Sequence, residues 1–395
     1  MVRYCFVVGN DNGNSEHAVM VDGSMITQPN VNCKADKLPW SDYSKCAEGF
    51  MDNLYDQMVV TVNSPACRPS IYKVGEFALR SGEIVENMQV GVDLKSESEL
   101  PVVNTLAVIA ACAVKKAYEE EKALPDKIEI RVDMATALPV RQHTKENSLV
   151  FRNKFMGNKH FVTVHLGASR VDTEIVFDFV KVVPEGTPVI FALQSMDKEF
   201  FTDFNGKYNL KADGKYFSGK RVLHVDIGDG TTEYPITEGQ GILSQHIEGS
   251  YNGVGHALEE SINEFNRLIN LPESPRQFFS DVLKNKNHKY YGKAVSTIKT
   301  PLERQAMKIM SHITGQLNRI RNEVDVIAVY GGGSILMRQF LFSRLDDLCN
   351  EREIKLLYAL ERYATLLNTI GLDIFARGAI FKALKKSEMN GDANG

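Results

Sequence analysis

The most informative stretch of the sequence is Arg221-Val-Leu-His-Val225, Asp226-Ile-Gly-Asp-Gly-Thr-Thr232, Glu233-Tyr-Pro-Ile236. This pattern predicts a buried strand, a glycine-rich turn and a second strand. Backbone N–H groups of such a turn converge on an anion, and glycine allows the close approach that a Cβ would block. The threonine hydroxyls add donors, so the turn suits phosphate. Because Asp226 and Asp229 would repel phosphate directly, they imply a hard cation such as Mg²⁺.

The N-terminus repeats this plan. A strand-like run at residues 4–8 leads into Asp11-Asn-Gly-Asn-Ser15, and a second apolar run follows at residues 18–21. Two copies of one hairpin predict two similar domains that face each other across a cleft, with both turns on the β- and γ-phosphates of a nucleotide. The chemistry implied is phosphoryl transfer, which depends mostly on positioning and electrostatics. A plain Asp-Gly hairpin remains the alternative for either copy, because short motifs also match by chance.

Composition indicates a folded, soluble chain of two or three domains in a reducing cytosol. The 395 residues are 43% hydrophobic and 24% charged, and the net charge of −4 argues against broad binding to nucleic acid or a membrane surface. The six cysteines are scattered without metal-ligand spacing. A strand-like run, not a signal sequence, follows Arg3, and the longest apolar run, residues 106–114, is too short to span a bilayer.

Three common catalytic motifs are missing from the sequence. It has no G-x-x-x-x-G-K-[ST] and no G-x-S-x-G, which excludes a P-loop enzyme and gives no support to a Ser/His/Asp hydrolase. Gly228-Asp-Gly230 leads into a strand instead of a helix, so the dinucleotide-binding fingerprint also fails.

The remaining pattern predicts further elements along the chain. Gly331-Gly-Gly-Ser334 follows a buried strand, which fits a turn packed against a nucleotide base, with a tight strand-to-helix turn as the alternative. The predicted elements are helices at residues 99–121, 253–269, 302–321 and 368–385, strands at 127–136, 161–183 (a pair) and 326–330, an exposed aromatic-containing insertion at 194–220, and a disordered tail at 387–395.

Four motifs in this order resemble the actin superfamily of ATPases. They match phosphate loop one, the hydrolysis-linked segment, phosphate loop two and the adenosine motif; these are Asp11-Asn-Gly13, Leu138-Pro139, Asp226–Thr232 and Tyr330-Gly-Gly-Gly-Ser334. Within the superfamily the chain is most similar to bacterial plasmid-segregation actins of the ParM type. That similarity is carried by three further segments, Tyr72-Lys-Val-Gly75, Val180-Lys-Val-Val-Pro-Glu185 and Ser250-Tyr-Asn-Gly-Val254.

The resemblance implies an α/β, actin-like, ribonuclease H-like duplicated fold of two domains with a nucleotide cleft between them. Domain I is expected at residues 1–220, with a C-terminal helix at 368–386 returning to it. Domain II is expected at residues 221–367, followed by the tail at 387–395.

The resemblance also implies which residues form the nucleotide site. Asp11 and Asp226 are expected to hold Mg²⁺ through water. Gln142, which follows Pro139, is expected to orient the attacking water, although a solvated loop residue is the alternative; Asp229 is the other candidate. The phosphates are expected at Gly13, Asn14, Ser15, Gly228, Gly230, Thr231 and Thr232, and adenosine at Gly331, Gly332, Gly333 and Ser334.

The sequence departs from the family pattern in three places. Ala18 stands where actins usually carry a lysine that reaches the phosphates, so another cation or the amides alone must neutralise their charge. Asn14 occupies a position that is often serine. The insertion at residues 194–220 is longer than expected, and it is either a filament contact or a large loop.

The function expected from the resemblance is a filament-forming ATPase of the bacterial cytosol. It would polymerise with ATP and Mg²⁺, hydrolyse ATP and drive plasmid segregation through a DNA-binding adaptor protein at a centromere, without binding DNA or membranes itself; GTP is possible in place of ATP. A small-molecule kinase of the same fold is the alternative. A chaperone ATPase is disfavoured because no long region follows the last helix, and a cell-shape actin because no amphipathic anchor precedes the first strand.

Overall fold

The computed structural model describes residues 2–39, 47–89 and 92–392. The chain forms two compact units. Unit 1 comprises Met1–Leu138, Gln142–Pro184 and Thr369–Gly395, and unit 2 comprises Pro139–Arg141 and Glu185–Asn368. Five of the six cysteines lie in the described ranges and are free thiols, whereas Cys46 lies outside them.

Unit 1 is built on one nine-stranded mixed sheet. Its elements up to Pro184 are β1 (Val2–Asn12), β2 (Glu16–Val21), β3 (Ser24–Pro29), β4 (Asn32–Ala35), α1 (Ala47–Met51), β5 (Val59–Ser64), β6 (Cys67–Val74), α2 (Glu76–Arg80), α3 (Leu100–Glu121), β7 (Lys127–Leu138), α4 (Lys145–Asn153), β8 (Lys159–Leu166) and β9 (Ser169–Pro184). The strand order is β3-β2-β1-β7-β9-β8-β5-β6-β4.

Helix α3 is the core helix of unit 1. Pro101 lies in its first turn, where a missing N–H costs nothing, and its alanine-rich sequence packs against β2, β5 and β8. It is long and apolar enough to cross a membrane, but 83% of its most apolar 18-residue window is buried within the protein. The apolar surface of α3 is therefore used to form the core of unit 1.

Unit 2 is built on a seven-stranded sheet. Its elements are α5 (Val189–Ser195), α6 (Thr202–Tyr208), β10 (Arg221–Ile227), β11 (Thr232–Glu233), β12 (Ile236–Glu238), β13 (Gly241–Ile242), β14 (Gly249–Ser250), α7 (Gly255–Ile269), α8 (Arg276–Lys284), α9 (Tyr291–Arg319), β15 (Val326–Tyr330), α10 (Gly332–Glu351), β16 (Lys355–Tyr358) and α11 (Glu361–Ala364). The antiparallel order is β13-β12-β10-β11-β14, and β15 and β16 extend the sheet from β10.

The predicted repeat of one hairpin is confirmed. In unit 1, β1 pairs with β2 so that Asp11 lies opposite Ala18, and β7 and β9 follow in parallel. In unit 2, β10 pairs with β11 so that Asp226 lies opposite Glu233, and β15 and β16 follow in parallel. Each unit therefore has an antiparallel hairpin followed by two parallel strands, with an aspartate at the same position.

The segment at residues 194–220 is not an exposed insertion. Phe200, Phe201, Phe204 and Phe217 are at most 4% exposed and contact one another. In addition, the Tyr208 hydroxyl accepts a 2.7 Å hydrogen bond from a backbone N–H of β16. The aromatic side chains thus form a local core of unit 2. The stretch of unit 1 that precedes this segment ends at Pro184, whereas the sequence analysis placed the end of domain I at residue 220.

The C-terminal region also differs from expectation. The predicted helix at residues 368–385 is two helices, α12 (Leu367–Arg377) and α13 (Ala379–Asp392), separated at Gly378. Residues 387–392, expected to be disordered, continue α13, and residues 393–395 lie outside the described range. The Lys385 ammonium contacts both carboxylate oxygens of Asp133 on β7, at 2.6 and 2.7 Å, which holds α13 against the sheet of unit 1.

Helix α9 begins at Tyr291, earlier than the predicted start at residue 302. Proline is unfavourable inside a helix, which favours a helix that begins after Pro301. In the structure Pro301 lies inside the helix. Side chains on both sides of it, among them Ile298 and Leu302, are buried in the core of unit 2, so tertiary packing stabilises the helix across the proline.

Candidate functional site

The turn between β10 and β11 is held from behind by the start of α7. The carbonyl oxygens of residues 228–230 all accept hydrogen bonds from the N–H groups of residues 253–255, over 2.7 to 3.3 Å. A 2.9 Å bond from the Gly228 N–H to the Thr231 carbonyl closes the turn. The first N–H groups of a helix have no partner inside it, so the turn carbonyls satisfy them.

This arrangement leaves a row of amides without partners. A peptide N–H points away from the carbonyl of its own peptide group. Because the carbonyls of residues 228–230 point toward α7, the N–H groups of Asp229, Gly230 and Thr231 point away from it. Within the described residues these three N–H groups donate to no acceptor. Three consecutive free amides that point away from α7 can donate to an anion.

Glycine 253 allows this packing. A Cβ at Gly253 would lie 2.2 Å from the Asp229 carbonyl oxygen and 2.6 Å from the Gly230 carbonyl carbon. A side chain there would therefore push α7 away from the turn and remove the support that orients its amides.

Asp226 lies near the end of β10 and is 6% exposed. The Asn368 amide donates a hydrogen bond to its Oδ2. A Cβ on Gly331, which follows the neighbouring strand β15, would lie 2.5 Å from its Oδ1. The carboxylate is thus held by Asn368 and closely approached by the turn after β15.

The Asp229 carboxylate forms an ion pair within unit 2. Arg276 of α8 donates a 2.7 Å hydrogen bond to its Oδ2, and the same guanidinium contacts Glu259 of α7 at 3.1 Å. Burial raises the pKa of Asp229, and Arg276 opposes that shift. The pair links the turn to α7 and α8, so a structural role competes with the predicted role of Asp229 in orienting water.

We expect Arg276→Ala to weaken nucleotide binding about tenfold and to lower the melting temperature, because it leaves the Asp229 carboxylate buried without its cation. Titration of a fluorescent ATP analogue, together with thermal unfolding, measures both effects. Arg267→Ala on α7 is the matched control, because its ion pair with Glu264 is exposed. Wild-type affinity and stability in Arg276→Ala would show that the pair does not support the turn.

The turn after β15 begins with Gly331, whose φ is +86°. The Gly331 N–H donates to the Ala364 carbonyl at 2.9 Å. Gly332, the first residue of α10, is exposed, whereas Ser334 is fully buried and its carbonyl accepts a 2.6 Å bond from the Tyr358 hydroxyl. Of the four residues expected to border adenosine, Gly332 is therefore on the surface and Ser334 is inside unit 2.

Thr231 and Thr232 differ in what their side chains do. The Thr232 hydroxyl donates to the Asn252 carbonyl at 3.1 Å, which commits its hydrogen to the protein. Thr231 is 9% exposed, and its hydroxyl makes no hydrogen bond within the described part of the chain. Thr231 is thus the better placed of the two to donate to a ligand.

In unit 1, the turn at residues 13–15 is held by Asn30. The Asn30 side chain donates to the Gly13 carbonyl at 2.6 Å, and its backbone N–H donates to the Ser15 carbonyl at 3.0 Å. The N–H groups of Asn14 and Ser15 have no acceptor in residues 2–39, 47–89 and 92–392. Unit 1 therefore carries a second, smaller set of free amides beside Asp11.

A buried polar network supports that turn. Asn12 donates to Thr105 at 3.1 Å, and His17, opposite Asn12 in the hairpin, lies 2.8 Å from the Asn10 side-chain oxygen. Burial lowers the pKa of His17 to about 3, so the imidazole is neutral near pH 7. The network replaces apolar packing beneath the turn with hydrogen bonds that fix its geometry.

Gln142 is 7% exposed and bridges to another loop of unit 1. Its Oε1 accepts from the Lys95 N–H at 3.1 Å, and its Nε2 donates to the Asp93 carbonyl at 3.2 Å. The solvated loop residue considered as the alternative is excluded by this burial. The role of Gln142 in orienting water stays a prediction. That role would use the second hydrogen of Nε2 or a lone pair of Oε1.

The residues of unit 2 fit a nucleotide phosphate with a bound Mg²⁺. Free amides are suited to phosphate oxygens, and a carboxylate such as that of Asp226 is the kind of oxygen ligand that Mg²⁺ or its water takes. No group of three or more His, Cys, Asp or Glu side chains in the described ranges is placed to hold a metal ion by itself. Motif reasoning missed three polar residues at these turns, because nothing in their local sequence marks them. They are Asn30, Arg276 and Asn368.

Comparison with known proteins identifies the fold. A family model described as the C-terminal part of the archaeal, MreB-like actin homologues matches residues 224–343. The structure is similar to that of the actin-like protein Alp7A, with a TM-score of 0.69, 17% identity and coverage of 98% of this chain and 100% of that one. The chain has an actin-like fold.

Two further structures with the actin-like fold were solved with nucleotide. One is Ta0583, an archaeal actin homologue, in complex with ADP, with a TM-score of 0.61, 16% identity and coverage of 96% of this chain and 100% of that one. The other is ParM from Bacillus thuringiensis with ATP, with a TM-score of 0.57, 14% identity and coverage of 96% and 99%. A search of curated protein sequences finds no match. The predicted resemblance to actins, and to ParM among them, is confirmed at the level of the fold.

Proposed function

We propose that this protein binds and hydrolyses ATP with Mg²⁺ and assembles into filaments, and that these filaments segregate plasmid DNA through an adaptor protein. The observation that carries the first step is the row of three free amides, residues 229–231, in the turn that follows the buried Asp226. The solved structures of similar fold with ATP and ADP support the same ligand.

The residues of unit 2 act mainly by position. The amides of residues 229–231 and the Thr231 hydroxyl donate to phosphate oxygens, where they offset negative charge without a lysine. Asp226 would hold Mg²⁺ through water. When bound, Mg²⁺ neutralises charge on the β- and γ-phosphates. The turn at residues 13–15 binds phosphate by the same means, and Gln142 orients the attacking water.

Assembly is proposed from the fold relationship. ParM from pCBH, of similar fold with a TM-score of 0.63 and 14% identity, is described as a non-polymerisable quadruple mutant. A nucleotide promotes assembly when it favours the conformation that assembles. The adaptor and the centromere are proposed from the resemblance to plasmid-segregation actins. The near-neutral net charge of −4 agrees with an adaptor, not this chain, contacting DNA.

Light scattering and pelleting of the purified protein test the proposal. We expect assembly with Mg²⁺ and ATP, little with EDTA or with ADP, and phosphate release that follows assembly; a GTP arm tests base preference. Hydrolysis without assembly up to tens of micromolar would overturn the filament and favour a kinase of the same fold. Failure to bind either nucleotide would overturn the whole proposal.

A further inference from the structure

The main passages of the chain between the two units lie next to Gly186 and Asn368, and Asn368 contacts Asp226. The chain leaves unit 1 after Pro184 and returns to it at Thr369, with a separate short passage through Pro139–Arg141. Gly186 lies two residues after the first passage, and Asn368 is the last residue of unit 2 before the return.

Asn368 joins Gly186 to Asp226 with its side chain. Its Oδ1 accepts a hydrogen bond from the Gly186 N–H at 3.1 Å, and its Nδ2 donates to Asp226 Oδ2. The donor and the acceptor of the amide are therefore both used. A planar amide bonded at both ends can hold a carboxylate in one orientation relative to the backbone.

Gly186 is fixed from its other side by Tyr330. The Tyr330 hydroxyl donates to the Gly186 carbonyl at 3.1 Å, and Tyr330 is 1% exposed. Tyr330 pairs with Asp226 across β10 and β15. The φ of Gly186 is +79°, and a Cβ there would lie 3.0 Å from Pro235. Two neighbouring positions of the sheet thus both connect to one glycine, Tyr330 directly and Asp226 through Asn368.

We propose that Asn368 is a positioning residue for Asp226, which sets the orientation of the carboxylate toward Mg²⁺ and couples that orientation to Gly186. The inference rests on the proposed function, since Mg²⁺-nucleotide is the ligand that Asp226 serves. The two hydrogen bonds of the Asn368 amide couple Asp226 to Gly186, so a ligand that reorients the carboxylate acts on the backbone beside the passage after Pro184.

Binding of a fluorescent ATP analogue, titrated with Mg²⁺ and repeated in EDTA, tests the positioning role. In Asn368→Ala we expect the Mg²⁺ concentration for half-maximal binding to rise about tenfold, because a hydrogen bond to a charged acceptor is lost. Affinity in EDTA should stay within about twofold of wild type, because the free amides of residues 229–231 are unchanged. Asn368→Ser, with a side chain too short to bridge both partners, is expected to behave in the same way and serves if the alanine variant does not fold.

Gln240→Ala is the matched control. It removes a side-chain amide of unit 2 whose hydrogen bond, to the Gln194 Oε1 at 2.8 Å, is exposed and involves neither Asp226 nor Gly186, so we expect an unchanged Mg²⁺ requirement. An unchanged requirement in Asn368→Ala and Asn368→Ser, with wild-type binding intact, would overturn the inference alone. Equal weakening with Mg²⁺ and in EDTA would also overturn it, since that pattern indicates general destabilisation. Absence of binding by wild type would overturn the proposed function and this inference together.

Discussion

Asp226→Asn is expected to lower the rate constant of ATP hydrolysis by at least about 100-fold and to abolish Mg²⁺-dependent assembly. Asparagine has nearly the same shape, and its side-chain oxygen still accepts the Asn368 hydrogen bond. The change therefore removes the negative charge while leaving the packing of a side chain that is 6% exposed. Without that charge, the protein loses its contribution to holding Mg²⁺ beside the phosphates.

Phosphate release at saturating ATP measures the effect, and circular dichroism with thermal unfolding checks the fold. Asp203→Asn, on the exposed face of α6, is the matched control for removing one carboxylate from unit 2. We expect Asp203→Asn to hydrolyse ATP and assemble as wild type does. Hydrolysis by Asp226→Asn within a few-fold of wild type would exclude Asp226 from the reaction and move the site elsewhere.

The hairpins could be predicted because their signals are local. A strand, an aspartate, a glycine-rich turn and a second strand follow one another in the sequence, and the β10–β11 register places Asp226 and Glu233 opposite each other. The turn after β15 is equally local, with Gly331 at positive φ and α10 starting at the next residue. Chain order alone gives such elements, so sequence reasoning found both turns.

Contacts between residues far apart in the chain could not be predicted in this way. Asn368 meets Asp226 across 142 positions, and Arg276 meets Asp229 across 47. Neither asparagine nor arginine carries a local mark of its partner. The prediction for residues 194–220 was wrong for a related reason. The polar residues of this segment suggested that it is exposed, whereas its phenylalanines pack on each other in unit 2.

The buried asparagines near the turn at residues 13–15 are a further case that local sequence could not predict. Asn10, Asn12, Asn30 and Asn104 are fully or almost fully buried, although asparagine is usually exposed. Sequence reasoning assigns such residues to loops and caps. Here Asn104 donates to Asn30, and Asn30 donates to the Gly13 carbonyl, which is a property of the assembled sheet and α3. The turn was predictable from its sequence, but what holds it was not.

Gly331→Ala is expected to destabilise unit 2 by about 3 kcal/mol and to reduce nucleotide affinity at least tenfold. At a φ of +86° an alanine is strained, and its Cβ would lie 2.4 Å from the Ile227 carbonyl oxygen and 2.5 Å from Asp226 Oδ1. Relief of either contact moves the end of β10 or the carboxylate. Chemical unfolding measures the first effect, and titration with a fluorescent ATP analogue measures the second.

Gly332→Ala separates conformational strain from ligand contact. Its Cβ would meet only the Thr365 methyl at 3.4 Å, and the residue is exposed at the start of α10, where alanine is tolerated. We therefore expect wild-type stability. If adenosine packs on this turn, Gly332→Ala loses affinity without losing stability, whereas Gly331→Ala loses both. Wild-type stability in Gly331→Ala would mean that the turn relaxes without moving Asp226, and the link between the adenosine motif and the carboxylate would have to be abandoned.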